Sequence, residues 1–161
     1  MEVRLICIGK LKEDYWKKAV AEYSARMTPL CRFSVIELPE HRLSDDPSPA
    51  EIRGGIEREG GYIMDKLGDR RDTLVIAMCV EGDLWSSEQL ASAVMDAGVS
   101  GKSRVDVVIG GSYGLSDEVK RRADKRVSVG RMTFPHQLCR VMLCEQLYRA
   151  FMINAGRKYH K

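Results

Sequence analysis

Apolar and polar positions follow two periods along this chain, and the switches between them mark out its elements. Val3 to Ile8 is a compact apolar run closed by Gly9, the pattern of a strand buried on both faces. Tyr15, Trp16, Ala19, Val20, Tyr23 and Met27 then fall on one helical stripe with Lys and Glu opposite, and Thr28-Pro29 stops the helix. Arg32 to Leu38 alternates and is predicted as a second strand. Pro39 to Pro49 is a polar loop with three prolines, expected to be mobile. Ser48, Pro49 and Glu51 start the next helix with a capping box, and Ile52, Ile56, Ile63 and Leu67 carry it forward. Its pairs Gly54-Gly55 and Gly60-Gly61 weaken it by roughly 1 kcal/mol per glycine relative to alanine, which packing has to offset.

Thr73 to Val80 is a third buried strand. Ser86 and Gln89 make another capping box, followed by a helix through Leu90, Val94 and Ala97 that ends at Gly98. Val105 to Ile109 is the fourth strand, Ser116 caps a short helix to about Asp124, and Val127 to Val129 is a short fifth strand. A last helix runs from about Pro135 to Asn154. Leu138, Val141, Met142, Leu143, Leu147, Tyr148, Phe151, Met152 and Ile153 cover well over half its circumference, with Cys139 and Cys144 between them. A helix that apolar has two faces to bury. One is expected on the sheet and the other on a two-fold mate, with Glu145 and Arg149 pairing on the remaining polar strip.

Strand and helix therefore alternate about five times. The expected fold class is α/β, a mainly parallel sheet with helices on both faces, in one domain over residues 1–161. Ligands of such sheets bind beyond the carboxyl ends of the strands. The candidate loops are Val80–Ser86, Gly110–Ser116 and Gly130–Gln137.

Composition narrows the class. With 44% hydrophobic and 30% charged residues the chain is globular, not disordered. It has no apolar stretch of spanning length and no signal-peptide pattern at its start, so the cytoplasm is the expected location. Cys7, Cys31, Cys79, Cys139 and Cys144 include no Cys-x-x-Cys pair, and His41, His136 and His160 are far apart, so no metal is expected. Charge is uneven. Val119 to Lys161 holds 11 basic and 2 acidic residues, while the rest of the chain holds 15 basic and 21 acidic ones. A basic segment on an acidic body points to a polyanion bound at one place, against the plainer reading of Lys120-Arg121-Arg122 and Lys125-Arg126 as a solvated face.

Gly110-Gly111-Ser112-Tyr113-Gly114 has neither the dinucleotide spacing nor a Walker lysine, and reads either as a tight turn or as a turn whose free N–H groups hold a ligand. Arg131 to His136 is either core packing before a helix or a pocket wall that reads a flat ring. The closing Arg157-Lys158-Tyr159-His160-Lys161 combines phosphate-binding cations with an aromatic plane, against the alternative of a frayed terminus.

At these residues the chain resembles a known family. Ile109-Gly110-Gly111-Ser112-Tyr113-Gly114-Leu115, Met132-Thr133-Phe134-Pro135-His136-Gln137, Glu145-Gln146-Leu147-Tyr148-Arg149-Ala150 and the final Tyr159-His160-Lys161 are similar to the RlmH (YbeA-type) methyltransferases, minimal members of the SPOUT class. Ile8-Gly9-Lys10-Leu11-Lys12 and the length agree, so the resemblance covers the whole chain. It implies a C-terminal trefoil knot, an exception to the rule against threaded chains, and an obligate homodimer. It also implies S-adenosyl-L-methionine as methyl donor and N3 of a pseudouridine in helix 69 of 23S rRNA, within the ribosome, as target. The implied cofactor-binding positions are Met78, Gly110, Val129, Gly130, Arg131, Met132, Thr133 and Phe134. One stretch departs from the family: after the third strand it usually has Leu, then Asp or Glu, two residues, then Gly-Lys, whereas this chain has Met78-Cys79-Val80-Glu81-Gly82-Asp83. The polar contacts of an acid at Cys79 and a base at Asp83 therefore do not carry over.

Methyl transfer to a ring nitrogen is an in-line displacement that needs positioning and removal of the N3 proton. His160, Arg149 and Tyr159 are the candidate catalytic residues, with His160 as base and Arg149 and Arg157 holding a phosphate or carbonyl oxygen. Arg157, Lys158 and Lys161 are the candidate RNA-binding residues. Two other classes remain open: a non-catalytic rRNA-binding or ribosome-assembly dimer of the same fold, and a flavodoxin-like nucleotide-binding monomer.

Overall fold

The computed structural model describes residues 1–160. In chain order the elements are β1 (Glu2–Ile8), α1 (Asp14–Met27), β2 (Arg32–Leu38), α2 (Pro49–Met64), β3 (Thr73–Leu84), α3 (Ser87–Val99), β4 (Arg104–Ile109), α4 (Asp117–Arg122), β5 (Lys125–Ser128) and α5 (His136–Asn154). The strands form one sheet in the order β2-β1-β4-β3-β5, and every pairing is parallel. All five carboxyl ends therefore lie along the same edge.

Strand side chains alternate between two cores. Val3, Leu5 and Cys7 face Val20 and Met27 of α1, Ala97 of α3 and Leu143, Cys144 and Leu147 of α5. Ile6 and Ile8 face the other way, toward Ile63 of α2 and Val119 of α4. This two-sided burial is why β1 and β4 read as unbroken apolar runs.

Helix starts follow the local chemistry. Ser48 with Glu51, and Ser86 with Gln89, form complete capping boxes, and the Ser116 side chain accepts the Val119 N–H. α2 is continuous over its four glycines, and two of them permit close packing: side chains of Leu43 and His41 come up against Gly55, and a methyl group at Gly60 would collide with Ser116 at the start of α4. It ends at Met64, short of Leu67, because the chain turns there and the Gly68 N–H reaches the Asp106 carboxylate at 3.1 Å. The loop after β2, expected to be mobile, has a fixed point where the His41 N–H donates to Glu59 Oε1 at 2.9 Å.

Two expectations are corrected. β3 continues past Val80 to Leu84, because its register shifts between Met78 and Asp83 and the strand then pairs again, with Val127 and Ser128 of β5. The breadth of the apolar surface on α5 has an intrachain cause. The helix lies on the sheet between α1 and α3, so three sides are engaged within one subunit, and that breadth alone does not call for a mate.

Candidate active site

The irregular stretch of β3 at residues 78–81 and the turns leaving β4 and β5, three neighbouring strands, enclose a cavity of about 370 Å3 at the carboxyl edge of the sheet. That volume lies in the range of small-ligand sites, roughly 300–1,000 Å3. The β4 turn closes tightly. The Gly114 N–H donates to the Gly111 carbonyl at 3.1 Å, Gly114 takes φ +87°, and a side chain at Gly110 would run into the Gly114 backbone. These two positions need glycine, which answers the question left open for this turn: it is a tight turn and also a cavity wall.

Of the implied cofactor positions, Met78, Gly110, Val129, Gly130, Met132, Thr133 and Phe134 line the cavity, while Arg131 does not. The β3 irregularity turns Cys79, Val80 and Glu81 toward the cavity, and Asp83 pairs with Val127 in the sheet instead. Glu81 is held below the usual carboxylate range, chiefly by the Lys120 ammonium 2.5 Å away. The rim charge there is therefore a matched pair. The lining is otherwise mainly apolar or backbone, which suits a purine ring and its sugar better than a polyanion.

The cavity is also lined by His136, the last residue of the stretch that reads as core packing or pocket wall, and by Cys139 and Lys120, which carry no sequence signal for this site. Burial lowers the His136 pKa, and Arg140 lowers it further; Glu40 raises it and Lys12 lowers it. The imidazole is thus neutral near pH 7. Arg140, one turn further along α5, is 1% exposed. Its guanidinium meets Glu37 Oε1 at 2.7 Å and donates to the carbonyls of Ile8 and Gly9 at 3.3 and 3.1 Å. It fastens the first turns of α5 to the ends of β1 and β2.

The tail forms a second cluster that does not line the cavity of its own chain. Gly156 takes φ +62° and reverses the chain, and the Arg157 N–H donates back to the Met152 carbonyl at 3.0 Å. Tyr159 stacks edge-on against Tyr148 with centroids 4.9 Å apart, and its hydroxyl donates to Glu145 Oε1 at 3.1 Å. Burial, then that carboxylate, pushes the phenol up to about 12, so Tyr159 is a hydrogen-bond donor and not a base. Arg149 pairs with Glu145 and lies 4.8 Å from the Tyr159 ring centroid. His160 Nε2 is 2.7 Å from Glu88 Oε1 and its Nδ1 is 3.4 Å from Arg149 Nη1. Arginine can only donate, so the matching neutral tautomer carries its proton on Nε2. Glu88 is held down at about 2 by hydrogen bonds from Ser86 first, then from its own backbone and from His160. Arg157 and Lys158 are exposed, and Lys161 lies outside the described residues. Among the described residues there is no cluster of three or more metal-ligating side chains, and no helix long and apolar enough to cross a membrane.

Fold and cavity together define an α/β protein with a small-ligand site at the carboxyl edge of a parallel sheet. The fold matches a probable methylase family protein from Haemophilus influenzae with a TM-score of 0.53 at 13% identity, covering 99% of this chain and 70% of that one. It also matches a putative methylase family protein from Neisseria gonorrhoeae with a TM-score of 0.51 at 12% identity, covering 91% of this chain and 81% of that one. Residues 1–160 match the family model described as "Predicted SPOUT methyltransferase". Proteins called ribosomal RNA large subunit methyltransferase H in Ligilactobacillus salivarius, Lactiplantibacillus plantarum and Bacillus cytotoxicus are 47%, 45% and 47% identical, each over the full length of both chains. The chain belongs to this SPOUT methyltransferase family, of the RlmH type.

Proposed function

We propose that the protein transfers a methyl group from S-adenosyl-L-methionine to N3 of a pseudouridine in helix 69 of 23S rRNA, on the ribosome and in the cytoplasm. It acts as a homodimer, each subunit a single domain (residues 1–161) with a C-terminal trefoil knot. The observation that carries this reading is the cavity built by the β3 irregularity and the turns after β4 and β5. Met78, Met132 and Phe134 would give the donor apolar contact, and Gly110, Val129, Gly130 and Thr133 would let its purine and sugar approach the backbone. Arg131 stands exposed between the lining residues Gly130 and Met132. When bound, the donor supplies a methyl group already activated by positive charge on sulfur. The neutral His136 adds no opposing cation to that site.

The tail does the work at the nucleobase. His160 takes the N3 proton once its Nδ1 is freed from Arg149. Arg149 turns to a ring oxygen that gains charge, and Tyr159 donates a hydrogen bond or stacks. Arg157, Lys158 and Lys161 hold phosphates. No described tail residue lines the cavity of its own chain, so in this reading a second copy delivers the tail. This is the support that the structure lends to the dimer.

Mass spectrometry of rRNA from cells lacking the protein is expected to show one missing methyl group on one pseudouridine, and unchanged rRNA refutes the reading. Calorimetry with S-adenosyl-L-methionine separates it from the non-catalytic dimer, which would bind RNA without binding the donor.

A further inference from the structure

Beside the donor cavity, on the β1 and β2 side, lies a second cleft of about 330 Å3. It contains Lys12 from the turn after β1, His41 and Arg42 from the loop after β2, Glu59 from α2, and Ser112 and Tyr113 from the glycine turn. Ser112 and Tyr113 also line the donor cavity, so the two spaces share one wall. Tyr113 is 52% exposed and borders a third cleft, between α2 and α4, as well. An aromatic ring left half in water at the meeting point of three openings is uncovered by anything in its own subunit.

We propose that this cleft holds a nucleotide flanking the methylated base, with its base stacked on Tyr113 and its phosphate held by Lys12 and Arg42. The inference rests on the RNA substrate assigned above and extends it. A base delivered to the mouth of the donor cavity leaves its neighbours on the surrounding surface. A single-stranded neighbour needs a flat ring and a cation, and here both border the same opening. The acids of the cleft do not cancel those cations. Glu40 and Glu59 share the cleft, but Glu59 is tied to the His41 N–H, and among the described residues neither Lys12 nor Arg42 forms an ion pair with either acid. The third cleft is less suited to the role, because Lys120 there is already paired with Glu81, which leaves Arg53 and Arg121 facing Glu57, Asp117 and Glu118. This site draws on the β1, β2 and β4 turns and is separate from the tail residues.

The test uses the full-length protein with purified ribosomes and labelled methyl donor, with substrate KM measured at several salt concentrations. The double variant Lys12→Ala/Arg42→Ala changes two exposed side chains outside the donor cavity. It is expected to raise the KM for ribosomes by about tenfold and to flatten the salt dependence by about 0.7 in slope per lost phosphate contact. Its affinity for S-adenosyl-L-methionine, read by calorimetry, should equal that of the wild type. Tyr113→Phe, which keeps the ring face, should lose less than Tyr113→Leu. Wild-type KM and salt slope in the double variant, while the wild-type enzyme methylates ribosomes, overturn the cleft and leave the activity standing. A wild-type enzyme that methylates no ribosome removes the activity and this inference together.

Discussion

His136 decides the electrostatics of the cavity. Its pKa lies below the ordinary value of about 6.5, through burial first and Arg140 second, so it is uncharged at pH 7 and gains a proton only as pH falls below that range. A positively charged donor and an imidazolium repel each other, so donor affinity should be constant above pH 7 and fall as the solution is acidified. Calorimetry at pH 5.5 and 7.5 reads the difference, and His136→Asn should flatten it. Arg140 carries the opposite lesson about charge. A lone arginine in an apolar helix reads as part of a polar strip, and nothing in the sequence ties it to Glu37, 103 residues away. The buried guanidinium, with its Nε left without a partner, holds the start of α5 to two strand ends. Arg140→Met removes the cation from Glu37, which keeps only the Leu11 N–H, and takes the guanidinium donor from two carbonyls. Glu37 is one-third exposed and can rehydrate, so the cost is expected at about 3 kcal/mol, the low end for a broken buried pair. In thermal unfolding that is a Tm lower by roughly 6–12 °C for a chain of this size.

At the scale of elements, the sequence was most readable where one residue carries its own signal. Ser48, Ser86 and Ser116 cap the helices their spacing predicts, and the apolar runs of β1 and β4 are buried strands. Legibility failed where pairing decides the geometry. The chain from Glu81 to Leu84 is polar enough to look like a loop, and only the parallel partner Val127-Ser128 makes it strand. The same irregularity exposes Cys79 to the cavity, a position with no local signal of its own. α5 shows a different limit: its apolar width records how many neighbours it has and not which chain they belong to. Leu147 is fully buried between the sheet and its flanking helices, so Leu147→Ala should cost about 3 kcal/mol in urea unfolding. Leu138, only partly buried in the same helix, should cost clearly less in a dilute monomer. A Leu138→Ala cost as large as that of Leu147→Ala, and growing with protein concentration, would show that a second copy covers that side.

At the scale of the whole molecule, the chain presents two candidate clusters that do not meet. The cavity belongs to the β3 irregularity and the turns after β4 and β5, and the tail is folded back on α5 and the first turn of α3. If each working site joins the cavity of one subunit to the tail of its mate, two different inactive subunits can repair each other. Gly110→Val fills the tight turn at the cavity wall, while deletion of residues 159–161 removes the tail but spares the cavity. Unfolded and refolded together in equal amounts, half of the dimers are mixed. Each mixed dimer has one site with both parts intact, so activity on ribosomes should return to about a quarter of the wild-type level. Two subunits that each act alone would regain nothing on mixing. Recovery near a quarter, with both parents inactive, therefore distinguishes a shared site from a self-sufficient one, and loss of the recovery when both changes sit on the same chain excludes simple dilution of wild-type carry-over.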